Sequence, residues 1–224
     1  MDQQTIQTQV DAQEALLVEA IARLVRIEST LGPAQPGMPF GPGPAAALEA
    51  FLDTARAWGL TGENLEGYVG AVDLNSQETA LHILGHLDVV DAGEGWTVTP
   101  AFSPKVVDGL FYGRGVSDDK GPLLAALLAM KVVKDLNLPL RRGVRLLAGT
   151  DEETGFRDIR WYYANHPYAP HTLSPDADFP IINIEKGHYQ PTFQAQWPQQ
   201  TALPRVSAVT GGLRLNMVPP TAQA

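Results

Sequence analysis

His86 and Asp88 stand two residues apart in GHLDVV at 85–90, at the end of an apolar run. In an extended strand a period of two puts both side chains on one face. A neutral imidazole there can bind a metal ion while the neighbouring carboxylate fixes its tautomer and orientation. The ordinary alternative is a hydrogen-bonded surface pair. A second group lies in GRGVSDDKG at 113–121, where Asp118 and Asp119 follow two glycines that permit a tight turn. A carboxylate held in such a turn is a hard oxygen ligand able to bridge two cations. The same pair also reads as a helix start, with Asp118 as N-cap and Asp119 answering the dipole. In TDEETG at 150–155, Asp151, Glu152 and Glu153 follow the strand-like VRLLAG. Open α/β sheets place their sites at such carboxyl ends. Crowded like charges call for a cation or a shared proton, which suggests a metal together with a general base. Complementarity to a helix N-terminus would account for two of the three acids. Finally, SPDADFP at 174–180 offers Asp176 and Asp178. Either suits a ligand, and either suits an Asx turn.

The elements that must carry these groups follow from periodicity. Apolar residues at helical intervals predict helices over 11–27 (Leu16, Leu17, Ile21, Leu24, Val25) and over 45–58 (Leu48, Phe51, Leu52, Ala55). Between them STLGPAQPGMPFGPGP is too rich in Pro and Gly for regular structure. YVGAVDL, ALHILGHLDVV and RRGVRLLAGT read as strands, 121–136 as a helix apolar nearly all round, and 153–165 as another helix. This alternation predicts an α/β fold, a mixed sheet flanked by helices. Each acidic or histidine group then sits at the end of an apolar segment of one α/β unit. After about residue 187 the composition changes to proline-punctuated, β-like pieces. The expected organisation is therefore a first domain over 1–187 and the start of a second over 188–224.

Composition limits the partners. At 224 residues and 44% hydrophobic, the chain can bury a sizeable core. Its 16 basic and 25 acidic side chains give a net charge of -9 without long runs of one sign, which argues against nucleic acid or a membrane surface as partner. With no cysteine, His and carboxylates are the strong metal ligands available. The first residues lack the pattern of a secretion signal, and LLAALLAM at 123–130 is too short to span a bilayer. The expected location is the cytoplasm.

The motifs HILGHLDVVDAGEGW, FYGRGVSDDKGP, GTDEETG and SPDADFPIINIEKG resemble the co-catalytic zinc peptidases of the aminoacylase, carboxypeptidase and succinyl-diaminopimelate desuccinylase superfamily. Within it they are most similar to PepV-type and carnosinase-like dipeptidases, and the likeness runs from about Glu14 to Val218. The resemblance implies a metallopeptidase catalytic domain followed by a small α+β lid. It implies two divalent metal ions, zinc foremost, with manganese and cobalt as alternatives. His86 and Asp176 would hold one ion, Glu153 the other, and Asp118 would bridge them. Glu152 would be the general base, Asp88 would orient His86, and the Asp118–Asp119 bond would be cis. The implied substrate is a dipeptide. A small N-acyl amino acid or a succinylated diamine is the alternative, and a non-catalytic metal-binding remnant is a third reading.

In such enzymes a second histidine from a returning part of the catalytic domain completes the site. His166, His171 and His188 lie in the wrong segments for that role and read as ordinary polar histidines. The expectation is therefore an amino-terminal piece or split subunit, weakly active or inactive, that self-associates through an unpaired sheet edge.

Overall fold

The helix expected over 11–27 is α2 (Glu14–Val25), and a further helix that the periodicity does not indicate, α1 (Gln3–Asp11), precedes it. The polar α1 buries nothing, whereas α2 buries Ala20, Ile21, Leu24 and Val25 along one stripe. Helix α3 (Pro42–Ala57) starts three residues before the expected 45. Pro42 stands in the first turn, where its missing N–H costs nothing and its fixed φ suits the helix. Helix α4 (Lys120–Asp135) packs against the sheet and against α2, burying Leu123, Leu124, Leu127 and Leu128.

This computed structural model describes residues 3–178 without a break and, beyond them, 182–184, 187, 189, 191–196, 202, 205, 210–211 and 222–223. The chain divides into two compact units, Met1–Asp178 and Phe179–Ala224. The first contains a five-stranded sheet in the order β1-β2-β6-β3-β7. These strands are β1 (Thr61–Leu65), β2 (Val69–Asp73), β3 (Thr79–His86), β6 (Gly143–Gly149) and β7 (His171–Leu173). A separate hairpin joins β4 (Lys105–Val107) to β5 (Leu110–Tyr112). In the second unit β8 (Thr210–Gly211) pairs with β9 (Ala222–Gln223). The expected limit at 187/188 and the start of a lid fall in this partly described stretch.

The sheet is mixed. Strands β6, β3 and β7 run parallel, with β3 in the middle, while β2 joins β6 antiparallel and β1 joins β2 antiparallel. One face packs on α2, α3 and α4 through Val72, Ile83, Leu146 and Ala148. The other face, through Val69, Ala71 and Leu147, is covered by Tyr162 of α5 (Arg157–Asn165). The α/β class with helices on both faces is the one the alternation predicts.

Helix α5 begins at Arg157, four residues later than expected. The Asp151 carboxylate takes the Arg157 N–H at 3.1 Å and its guanidinium twice at 2.6 Å, closing residues 151–156 into a turn. Among the described residues no helix is long and apolar enough to cross a membrane.

Candidate metal centre

Three parallel strands deliver their ends to one place. β3 ends at His86, which stands opposite Gly149 at the end of β6, and Ile83 stands opposite Leu173 at the end of β7. The turn after β6 carries Glu152 and Glu153, the one after β7 carries Asp176, and the loop entering α4 brings Asp118. His86 Nε2 lies 3.0 Å from Asp118 Oδ1, 3.4 Å from Asp176 Oδ2 and 3.9 Å from Glu152 Oε2. One ligand atom each from His86, Asp118 and Asp176 fits within a mutual 4.8 Å. The Asp118–Asp119 peptide bond is cis. Asp178 is exposed, His166 stacks on Tyr162 at 4.5 Å between ring centroids, and His171 is exposed on β7. His188 lies outside the described residues.

The other imidazole nitrogen is already engaged. His86 Nδ1 is 3.0 Å from the Asp88 carbonyl oxygen and 3.4 Å from the Asp88 carboxylate. A carbonyl accepts only, so Nδ1 carries the hydrogen, and in the neutral ring Nε2 turns a lone pair toward carboxylate oxygens. Only a proton or a cation relieves that opposition. The donor set of one imidazole nitrogen and several hard carboxylate oxygens suits zinc, manganese or cobalt.

The three acids after β6 separate into different roles. Asp151 is fully buried and tied to Arg157, with Thr154 Oγ1 donating to it at 2.5 Å. Its burial and salt bridge make it a bracket of the turn. Glu152 and Glu153 instead give their amide N–H groups to the two oxygens of Asp88, each at 3.0 Å. Asp88 is itself only 3% exposed, so it fixes His86 through its backbone and the acidic turn through its side chain.

Sequence reasoning also treats Asp119 only as a partner of the helix dipole. Its fully buried carboxylate accepts the His86 N–H at 3.0 Å and fits beneath Gly85, where any Cβ would strike it. The glycine immediately before His86 is the signal for this arrangement. Lys120, equally buried, donates to the Leu24 carbonyl at 3.0 Å and the Ile27 carbonyl at 2.8 Å, fastening the ligand loop to the end of α2.

The local fields reflect this crowding. Burial by itself would lower the His86 pKa, but the hydrogen bonds that the ring donates to Asp118, Asp176 and Asp88 outweigh it and hold the imidazole well above its ordinary value. The Asp118 carboxyl is lowered, chiefly by the same hydrogen bond from His86. Burial pushes Glu152 up to about 7, with His86 opposing and Asp176, Glu153 and Asp88 adding to the rise. Burial likewise pushes Asp119 up to about 8. Surplus negative charge in a half-closed site is what a divalent cation neutralises. Beside the cluster opens a cavity of about 180 Å³, lined by His86, Glu152 and Asp176 together with Leu84, Phe156 and Ile159.

Comparison with known proteins gives a consistent picture. The model of peptidase family M20/M25/M40 matches residues 82–196. The YtjP protein of Bacillus subtilis (strain 168), provisionally named a dipeptidase, is 41% identical over 216 residues, covering 96% of this chain and 45% of that protein. The beta-Ala-Xaa dipeptidase of Lactobacillus delbrueckii subsp. lactis is 37% identical over 179 residues, covering 79% of this chain and 38% of its own length. The crystal structure of human carnosine dipeptidase 1 superposes with a TM-score of 0.59 at 25% identity, over 70% of this chain and 36% of that one. The M20 family metallo-carboxypeptidase Sso-CP2 from Sulfolobus solfataricus shares the fold with a TM-score of 0.61 at 24% identity, over 72% and 37%. The chain spans less than half the length of each of these relatives. With that family model matched over just more than half of its 224 residues, the chain belongs to peptidase family M20/M25/M40.

Proposed function

We propose that this chain carries the metal-holding part of a dinuclear metal hydrolase that cleaves the amide bond of dipeptides. The observation that carries the reading is His86 Nε2 facing the carboxylates of Asp118, Asp176 and Glu152 within 3.9 Å, with its Nδ1 already engaged by Asp88. His86 and Asp176 would hold one ion, Glu153 the other, and Asp118, whose side chain is 65% exposed, would bridge them. Zinc is the proposed metal. Bound there, the ions would lower the pKa of a water molecule and polarise the scissile carbonyl.

Glu152 has the position and the affinity for a proton that a general base needs. Its carboxyl, raised to about 7 by burial, is poised to take a proton from water and hand it to the leaving amine near neutral pH. Asp88 keeps that carboxylate in register with His86. The adjoining cavity of about 180 Å³, lined by Glu152 as well as by Leu84 and Ile159, suits one side chain of a small substrate. The names of YtjP, the beta-Ala-Xaa dipeptidase and carnosine dipeptidase favour dipeptides. In the same reading residues 1–187 belong to the catalytic domain and 188–224 open a lid.

The test is metal analysis and hydrolysis of α- and β-alanyl dipeptides by the wild-type chain, Glu152→Gln and Asp118→Ala, with an N-acetyl amino acid as competing substrate. The expected result is zinc retained and turnover lost in Glu152→Gln, and zinc lost in Asp118→Ala. A wild-type chain that takes up no divalent metal, or a measurable wild-type turnover that survives undiminished in Glu152→Gln, would overturn the reading.

A further inference from the structure

Four consecutive backbone amides follow β6, and each is bound by a buried aspartate. Glu152 and Glu153 give theirs to Asp88, as described. Thr150 and Asp151 give theirs to Asp158, both to Oδ2, at 2.6 and 2.9 Å. Asp158 Oδ1 accepts the N–H of Ile159 at 2.7 Å, so the whole carboxylate is occupied by backbone donors. Asp158 is the second residue of α5 and is fully buried, with no cationic side chain hydrogen-bonded to it among the described residues.

The sheet makes room for it. A Cβ on Gly149 would strike Asp158 Oδ2 well inside van der Waals contact. Gly149 is the residue opposite His86 in the parallel register, so the carboxylate lies against the strand end that neighbours the candidate ligand. A carboxylate at the start of a helix needs no cation, because the helix end supplies donors and a favourable dipole. That helix-start role explains the bond to Ile159. It does not explain why Oδ2 reaches back across the turn to Thr150 and Asp151, nor why the strand ends in glycine.

We propose that Asp158 is a positioning residue for the acidic turn, holding the Thr150 and Asp151 amides beneath Gly149 so that the turn presents the Glu152 carboxylate beside His86 and keeps Glu153 next to it. Asp88 grips the far half of the same turn, and the two aspartates together leave it one arrangement. Glu152 and Glu153 carry like charges in a half-buried space, and without the clamp their repulsion would spread the turn. The clamp rests on the hydrogen bonds alone. Its consequence for metal binding rests on the hydrolase reading.

The experiment compares the wild-type chain with Asp158→Asn and Gly149→Ala by residue-resolved amide hydrogen exchange and by zinc titration calorimetry. Asp158→Asn keeps shape but leaves one oxygen for three donors. Gly149→Ala keeps the carboxylate but displaces it. Both variants are expected to exchange the amides of Thr150 and Asp151 at least about tenfold faster, with Leu146 and Leu147 in the same strand unchanged. Zinc should still bind at His86, with binding of the ion that Glu153 would hold impaired. Uniformly faster exchange along β6 with the two-site zinc ratio unchanged would mean a merely structural aspartate and would overturn the proposal. Unchanged exchange at 150–151 would overturn it as well. Should the wild type bind no zinc, the hydrolase reading fails, and the exchange result alone still decides the role of Asp158.

Discussion

Asp88 faces His86 with its main chain and the acidic turn with its side chain. Its carbonyl oxygen lies 3.0 Å from His86 Nδ1, while its two carboxylate oxygens accept the amides of Glu152 and Glu153. The sequence motif suggests a carboxylate whose main business is the imidazole. The geometry gives that business largely to the carbonyl, with the carboxylate oxygen a longer 3.4 Å away.

Removing the carboxylate should therefore loosen the turn more than the ring. Asp88→Ala leaves two buried N–H donors without partners, and the loss should be about 2 kcal/mol, less whatever relief the neighbouring acids gain. Asp88→Asn, which keeps one oxygen, should lose less. The urea midpoint, read with an unchanged slope, measures it. An unfolding free energy for Asp88→Ala within about 0.5 kcal/mol of the wild type would show that the turn holds itself.

How much of this can be read from the sequence depends on whether burial leaves a trace in neighbouring residues. His86, Asp118, Glu152 and Asp176 stand at the ends of apolar runs, and the parallel strands that gather them follow from the β–α alternation. The short hairpin β4–β5 leaves no period to detect, and β1 (TGENL) is a mostly polar edge strand that propensity alone passes over. Asp119, Asp151 and Asp158 are opaque for another reason. Near a helix start an acid is adequately explained by the dipole, so nothing in the linear pattern shows that these three are fully buried. The glycines that admit two of them, Gly85 and Gly149, are the one linear clue.

Zinc and a proton compete for His86 Nε2. Despite burial, the surrounding carboxylates hold the imidazole pKa above its ordinary value, so the metal-free ring keeps its proton across neutral pH. Metal uptake must expel it. Zinc affinity should therefore fall roughly tenfold per pH unit as the solution is acidified, with about one proton released per ion. Calorimetry in two buffers of different ionisation enthalpy reads the proton count. Affinity independent of pH would place the first ion away from His86.

His82, on the same strand but distant from the cluster, gives a separate pH effect. It is 3% exposed, and its Nδ1 lies 3.0 Å from the Tyr163 hydroxyl. Burial first, then the charge of Arg145, lowers its pKa from 6.5. The unfolded chain thus takes up this proton before the native one does, so stability is intact above about pH 6.5 and is lost as pH falls toward the lowered native value. His82→Phe should remove that part of the acid sensitivity. Parallel stability profiles for the variant and the wild type below pH 6.5 would show that His82 is not its source.

Gly85 and Asp119 should prove coupled. An added methyl at Gly85 would strike Asp119 Oδ2 and lie 2.9 Å from Leu123 Cδ1, and both neighbours are fully buried. Overpacking of this kind costs about 1–3 kcal/mol. Gly85→Ala should also strain the bond by which Asp119 accepts the His86 N–H, and so weaken zinc binding. The carboxylate is the main obstacle, so Asp119→Ala should make room for the methyl. The cost of Gly85→Ala in that background should be smaller by about 1 kcal/mol or more, a coupling that a double-mutant cycle isolates. If the two substitutions add within about 0.5 kcal/mol, the glycine is there for some reason other than the aspartate beneath it.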